Sequence, residues 1–325
     1  MIRRILILSG ALLAAALLCA ASDPLLIAQR QFEAGSYREA TATLQSALAQ
    51  EPGNAGLHYW LARCYYELGA YDLAISSAEQ AVKLDPKNSE YHQWLGRAYG
   101  GKAEKVGGLS GFSLARKVRR EFEEAVHLNP ANLRARRDLL EFYLNAPGLV
   151  GGDKDKALQH AQAIAALDPV EGHLARAAYW LGKKKPELAE AEYRRVLEEK
   201  PGRVEPYLEV ADFYQQREDA SRMEAAVEPA ARVNPSHRAL AYYRGVVRVL
   251  AGKRLSEAEQ LLKSYLTGPP RSDRPSPAST REWLGRLYER LGKQKEAAGE
   301  YRAALQLDPN LKSARDALRR VEKQL

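Results

Sequence analysis

Apolar and small residues recur along this chain at three- and four-residue intervals in short runs, as in Leu61, Tyr65 and Leu68 and again in Ala74, Ala78 and Ala81. That spacing keeps one face of an α-helix apolar, whereas a half-buried strand would alternate every second residue. The runs end on a repeated phrase in which an apolar position leads into a polar residue and proline. It is seen at Glu51-Pro52, Asp85-Pro86, Asn129-Pro130, Asp168-Pro169, Asn234-Pro235 and Asp308-Pro309, with Pro201 and Pro270 filling the gaps. Proline cannot continue a helix, and Asp or Asn forms a turn or caps the next one, so each phrase closes one unit and opens another. Successive prolines lie 34, 44, 39, 32, 34, 35 and 39 residues apart. A period near 34 with insertions predicts a stack of like units and an all-α fold.

The clearest unit runs Trp60-Leu61-Ala62, Tyr65, Leu68-Gly69-Ala70-Tyr71, Ala74, Ala78, Ala81, Pro86. Related phrases are Trp94-Leu95-Gly96 with Tyr99, Val210-Ala211 with Tyr214, and Trp283-Leu284-Gly285 with Tyr288, Gly292, Ala297, Tyr301 and Pro309. Ala and Gly in these places let neighbouring helices approach, leaving room for a Tyr, Trp or Leu opposite. On these residues the chain resembles the tetratricopeptide repeat, a helix-turn-helix unit. The resemblance implies a superhelical solenoid of about eight units, closed by an amphipathic capping helix on Leu311, Ala314, Leu318 and Val321. The expected layout is a signal segment over 1–21, units one to seven over 22–267, a Pro/Ser/Arg-rich linker over 268–279, and the last unit with its cap over 280–325.

Three breaks interrupt the period. About ten extra residues enter unit three around Gly100-Gly101 and Gly107-Gly108-Leu109-Ser110-Gly111-Phe112, and about five enter unit four within Asn145 to Asp153. Both are expected as glycine-rich loops on one edge, with Gly107, Leu109, Phe112, Leu149 and Val150 as candidate edge contacts or as ordinary surface connections. Neither carries the Gly-Lys-Ser/Thr ending of a phosphate loop. The third break, Gly268 to Pro277, reads as a flexible linker that leaves the last unit loosely docked.

The first residues change the setting. Arg3 and Arg4 precede an apolar run from Ile5 to Leu18 and then Ala20, Ala21 and Ser22, the order of a secretory signal. A run of 14 residues falls short of a bilayer span, so cleavage near Ala21 and a periplasmic or secreted location are expected. A lipidated start at Cys19 is the second possibility and the sequence's one route to a membrane anchor. After cleavage at Ala21 only Cys64 remains, which excludes an internal disulfide and reads as a buried, inert thiol.

Composition then excludes the extremes. With 46% hydrophobic and 28% charged residues, the 325-residue chain is too apolar for disorder and too charged for a polytopic membrane protein. The formal charge of +8 is mild for this length and does not select nucleic acid; the basic cluster Arg116, Lys117, Arg119 and Arg120 lacks an aromatic platform. The six histidines form no helix-spaced ligand pair, and His58 and His92 sit one period apart, as repeat positions rather than a metal site. No nucleophile elbow, Cys-x-x-Cys pair or Walker sequence is present, so no cofactor, metal or enzymatic activity is expected.

The resemblance implies that the first helix of each unit lines a concave groove. Its groove-facing positions here are Tyr59, Arg63 and Tyr66 in unit two, Gln93 and Arg97 in unit three, and Arg134, Arg137 and Glu141 in unit four. Arginine forks suit carboxylate or phosphate, so a protein or peptide partner with anionic groups is expected unless local acids such as Glu67, Glu90 and Glu141 neutralise them. A Lys/Asn clamp that some members of the family use for a chaperone's carboxylate tail is absent at Tyr59, Arg63, Gln93 and Arg97. The sequence therefore points to a non-catalytic, exported interaction scaffold, with a structural subunit of a cell-envelope assembly as the alternative.

Overall fold

The computed structural model describes residues 23–268 and 275–325, so the expected signal segment, Cys19 and the centre of the expected linker lie outside the described residues. Among the described residues there are seventeen α-helices and no strand. They pair as hairpins: α1 (Pro24–Glu33) with α2 (Tyr37–Gln50), α3 (Ala55–Glu67) with α4 (Tyr71–Leu84), α5 (Ser89–Val106) with α6 (Gly108–Leu128), and α7 (Leu133–Asn145) with α8 (Lys154–Leu167). Four more follow: α9 (Pro169–Gly182) with α10 (Pro186–Glu198), α11 (Glu205–Gln216) with α12 (Ala220–Val233), α13 (Ala239–Ala251) with α14 (Leu255–Leu266), and α15 (Pro277–Arg290) with α16 (Gln294–Leu307). A final helix, α17 (Lys312–Glu322), packs on α16. The fold is the all-α, eight-hairpin solenoid type expected from the period.

Two compact units divide between Leu167 and Asp168, at one of the proline phrases, which the sequence distinguished from the others in no way. The first holds the hairpins α1/α2 to α7/α8; its initial core gathers Ala28, Phe32, Leu44, Leu57, Leu61 and Cys64. The second holds α9 to α17 around one continuous core that runs from Leu174 through Tyr214, Tyr242, Leu262, Trp283 and Tyr301 to Val321.

The linking turns divide labour between two polar residues. The Asp or Asn before proline folds back on the turn, accepting from the backbone two residues on: Asp85 from Lys87 at 3.3 Å, Asn129 from Ala131 at 3.0 Å, Asn234 from Ser236 at 3.2 Å, Asp308 from Asn310 at 2.9 Å. In the first three of the chain's linking turns the following helix is capped by an asparagine two residues after proline: Asn54 accepts from Leu57, Asn88 from Glu90 and Asn132 from Ala135. At Asp168 the two roles merge. Asp168 caps α9 directly, accepting from Glu171 at 3.0 Å, and Pro169 takes the first helical position, where a missing N–H costs nothing.

A second device repeats on the same turns. The side chain six residues after proline holds the proline carbonyl: His58 on Pro52 at 3.0 Å, His92 on Pro86 at 3.1 Å, Arg136 on Pro130 at 2.5 Å, and Arg315 on Pro309. His58 and His92 are thus turn anchors, in keeping with their one-period separation.

The first insertion is not a loop. The extra residues lengthen both helices of the third hairpin, to 18 residues in α5 and 21 in α6, against 13 and 14 in the preceding pair. Lys102 to Lys105 are good helix formers with no proline to stop them, and Gly111 brings α6 close enough that a Cβ there would lie 3.1 Å from the Ala103 carbonyl. Only Gly107 and Gly108, both at positive φ, make the turn, so Leu109 and Phe112 stand on the first turns of α6. The second insertion is a single 3-10 turn, Gly148–Val150, that packs on α6.

The last hairpin is not loosely docked. The Tyr265 hydroxyl donates to the Pro275 carbonyl at 2.6 Å, Ser276 caps α15, and Trp283, Leu284 and Leu287 share the core of α13 and α14. Pro275 onward is therefore anchored, because Ser276-Pro277 form a cap and a first helical residue rather than a linker.

Candidate functional site

The groove candidates all lie in the first unit, on α3, α5 and α7. Their register follows the repeat: Tyr59, Gln93 and Arg137 occupy one equivalent position, Arg63, Arg97 and Glu141 another, and Trp60, Trp94 and Asp138 a third. The third position decides the chemistry of the second.

Arg63 reaches aromatic neighbours. Its guanidinium carbon lies 3.9 Å from the Trp60 ring centre, 4.7 Å from Phe32, 4.9 Å from Trp94 and 5.5 Å from Tyr59. Ring faces stabilise a cation without neutralising it. One of its terminal nitrogens donates to the Tyr59 hydroxyl at 3.4 Å, and its buried Nε has no hydrogen-bond partner. Burial pushes the Tyr59 phenol above its ordinary range, despite the nearby Arg63 charge, so this contact is to a neutral hydroxyl.

One period on, the tryptophan is replaced by Asp138, and Arg97 is neutralised. Its fork grips the Asp138 carboxylate at 2.7 and 2.9 Å, and Gln93 donates to the same carboxylate at 2.7 Å. Burial would lower the Arg97 pKa, but Asp138 more than compensates and holds it above the ordinary arginine value. The partner is Asp138 across the hairpin seam rather than Glu67, Glu90 or Glu141. It was legible in principle, since an acid stands where units two and three carry tryptophan.

The remaining candidates separate. Gln93 is buried on Asp138; Tyr59 is buried and donates to Glu90 at 3.3 Å. Tyr66 is half-buried, edge-on to Tyr71 and Trp94, and burial raises its pKa. Arg134 is exposed, while Arg137 is half-buried. Beside Arg97 opens a cavity of about 480 Å³ walled by Tyr66, Gly100, Gly101, Phe142 and Pro147, with Asp138 and Glu141 on its border. Gly100 and Gly101, which sequence reasoning placed in a loop insertion, are helical residues on the wall of this cavity; the missing side chain of Gly101 makes room for the Tyr71 ring, which a Cβ there would strike. Of the edge candidates, Gly107, Leu109 and Phe112 sit at the tip of the third hairpin and Leu149 is 73% exposed, but Val150 is 1% exposed and forms core rather than surface.

Three family models described as tetratricopeptide repeat match residues 31–99, 212–277 and 278–311. The chain is a tetratricopeptide-repeat protein. Among solved structures, yeast Tom70 aligns over 89% of this chain and 59% of its own, at 14% identity and a TM-score of 0.60, a likeness of fold alone. A thermophilic tetratricopeptide-repeat protein of Thermus thermophilus is 24% identical over 54% of this chain and 89% of its own, with a TM-score of 0.47. A tetratricopeptide-repeat protein of Parabacteroides merdae covers 92% of this chain and 98% of its own at 14% identity and a TM-score of 0.44. No curated protein matches the chain significantly. As a tetratricopeptide-repeat protein it is of the protein-interaction scaffold class, whose members are generally non-catalytic. Among its described residues no cluster of three or more His, Cys, Asp or Glu could hold a metal ion, and no helix is long and apolar enough to cross a membrane.

Proposed function

We propose that this protein is exported to the cell envelope or beyond, and there holds an extended segment of a protein partner against α3, α5 and α7. The observation that carries the reading is the contrast between two equivalent arginines. Arg97 is satisfied internally by Asp138, whereas Arg63 keeps its charge among four rings, with no ion pair among the described residues. The caged cation of Arg63, together with the open cavity that lies beside Arg97 one repeat on, suits a peptide that offers a carboxylate to Arg63 and an apolar side chain to the space between Tyr66 and Phe142. The export signal of residues 1–21 supplies the setting.

The test is affinity capture of the native partner from an envelope extract by the wild-type protein, Arg63→Gln, and Tyr66→Ala/Phe142→Ala. Each variant is checked for helical content. Capture that falls at least about tenfold in both variants supports the groove. Undiminished capture by the folded variants excludes it. A single large complex that persists in every variant would favour the structural-subunit alternative.

A further inference from the structure

The lengthened third hairpin carries a surface that the groove does not use. Its two helices are five and seven residues longer than those of the preceding pair, roughly 7–10 Å of extra reach. At the end of that extension Val106, Leu109 and Phe112 are exposed, Leu109 at 86%. Leu109 and Phe112, three apart on α6, share one face.

Behind this apolar end lies a polar collar. A cleft of about 420 Å³ between α5 and α6 is lined by Lys102, Val106, Ser110, Ser113, Leu114 and Lys117. From Lys105 to Arg120 the chain has five Lys or Arg and no Asp or Glu. Two of the five, Arg119 and Arg120, pair with Glu123 and Glu121 just beyond that stretch, and Lys102 pairs with Asp72; Lys117 rests over the Tyr99 ring at 4.9 Å. Lys105, Arg116 and Lys117 are exposed.

The order of these layers is informative. Leu109 is outermost, while Ser113 and Lys117 lie four and eight residues further along α6, about 6 and 12 Å behind it. An acyl boundary followed by phosphates presents the same sequence, apolar first and anionic behind, over a similar depth. An acidic peptide would account for the cations and leave Leu109 and Phe112 in water. Ammonium and hydroxyl donors together suit phosphodiester oxygens. We infer that the tip of the α5/α6 hairpin is a docking element for an anionic phospholipid surface, inserting Leu109 and Phe112 while Lys105, Arg116, Lys117 and the serine cleft engage headgroup phosphates.

The inference is independent of the groove reading. It is tested by co-sedimentation of the full chain with vesicles of phosphatidylcholine alone or with about one-third phosphatidylglycerol, at low and high salt. Residues 1–22 are the same in every variant, so differences between variants report on the tip. The expected result is preference for the anionic vesicles, weakened by salt. Leu109→Asp/Phe112→Asp and Lys105→Glu/Arg116→Glu/Lys117→Glu should each lower it at least about tenfold, with helical content and partner capture unchanged. Equal binding by the wild type and the Leu109/Phe112 variant, or equal binding to neutral vesicles, overturns the inference. So does vesicle-free self-association that the same pair abolishes, which would assign the tip to a second copy.

Discussion

His92 shows how a repeat position acquires individual chemistry. It anchors the Pro86 carbonyl as His58 anchors Pro52, and its Nδ1 also forms a hydrogen bond with Glu121 at 2.8 Å. The hydrogen bond to Glu121 raises the His92 pKa above the ordinary histidine range, against the pull of burial; burial would raise that of Glu121, but the bonds from His92 and Arg120 hold it low. A raised folded value means that the His92 contribution is complete below about pH 6.5 and is lost as pH rises through the folded value. The depressed Glu121 value means that its share is present above the carboxylate range and is lost as pH falls through the folded value. Replacing His92 by Leu leaves Glu121 buried with Arg120 alone and should cost about 2 kcal/mol. Urea unfolding of both proteins from about pH 5 to 9 should show the gap widest near the acid end and narrower at the alkaline end; a gap constant with pH would contradict the assignment. The repeat's tyrosines are similarly tied. Tyr65, Tyr99 and Tyr143 meet Gln45, Glu79 and Glu123, each twenty residues earlier, at 2.6–2.8 Å.

At the scale of the element, hairpin turns distinguish what the period needs from what it tolerates. The first, second, seventh and eighth hairpins turn through glycine at positive φ: Gly35, Gly69, Gly252 and Gly292. In the fifth and sixth hairpins Lys184, at φ 57°, and Glu218, at φ 54°, take this left-handed place. A side chain there crowds its own carbonyl, so Lys184→Gly should stabilise the protein by about 0.5–1 kcal/mol, as a higher urea midpoint at unchanged slope would show. The opposite effect is expected at Gly96, where even a Cβ would stand 2.5 Å from the Phe122 ring. Gly96→Leu should cost about 1–3 kcal/mol by overpacking the α5/α6 seam, seen as a lowered midpoint in the same measurement. These elements were the most legible part of the sequence, because prolines, turn glycines and seam alanines act within one hairpin and say so locally. The lengthened helices were not: Gly100, Gly101, Gly107, Gly108 and Gly111 look alike in sequence, and only packing shows that two make the turn while the others sit in helices.

For the whole molecule, the division between Leu167 and Asp168 has thermodynamic consequences. Stacked hairpins draw stability from their immediate neighbours, so separate cores need not melt together. The first unit has its own core around Leu44 and Leu61, the second a longer one from Leu174 to Val321. Thermal unfolding should show two transitions, of which Gly96→Leu moves one and Lys184→Gly the other; coincident movement by both would show a single cooperative body. The site was harder to foresee than the fold for the same reason of range. The alignment of Arg63 with Arg97 was plain, but their different fates depend on Trp94 and Asp138 in the next hairpin, a contact that no single repeat encodes.

Cys64 offers a way to watch that opening. It is buried with Ala40, Leu44 and Leu61 in the first core, and burial pushes its thiol up to about 12. In the native state it should be almost inert toward a disulfide reagent at neutral pH, because both access and thiolate are withheld. The rate at which it becomes modified then clocks the breathing of the first core, a stopwatch placed there by the sequence with no added label.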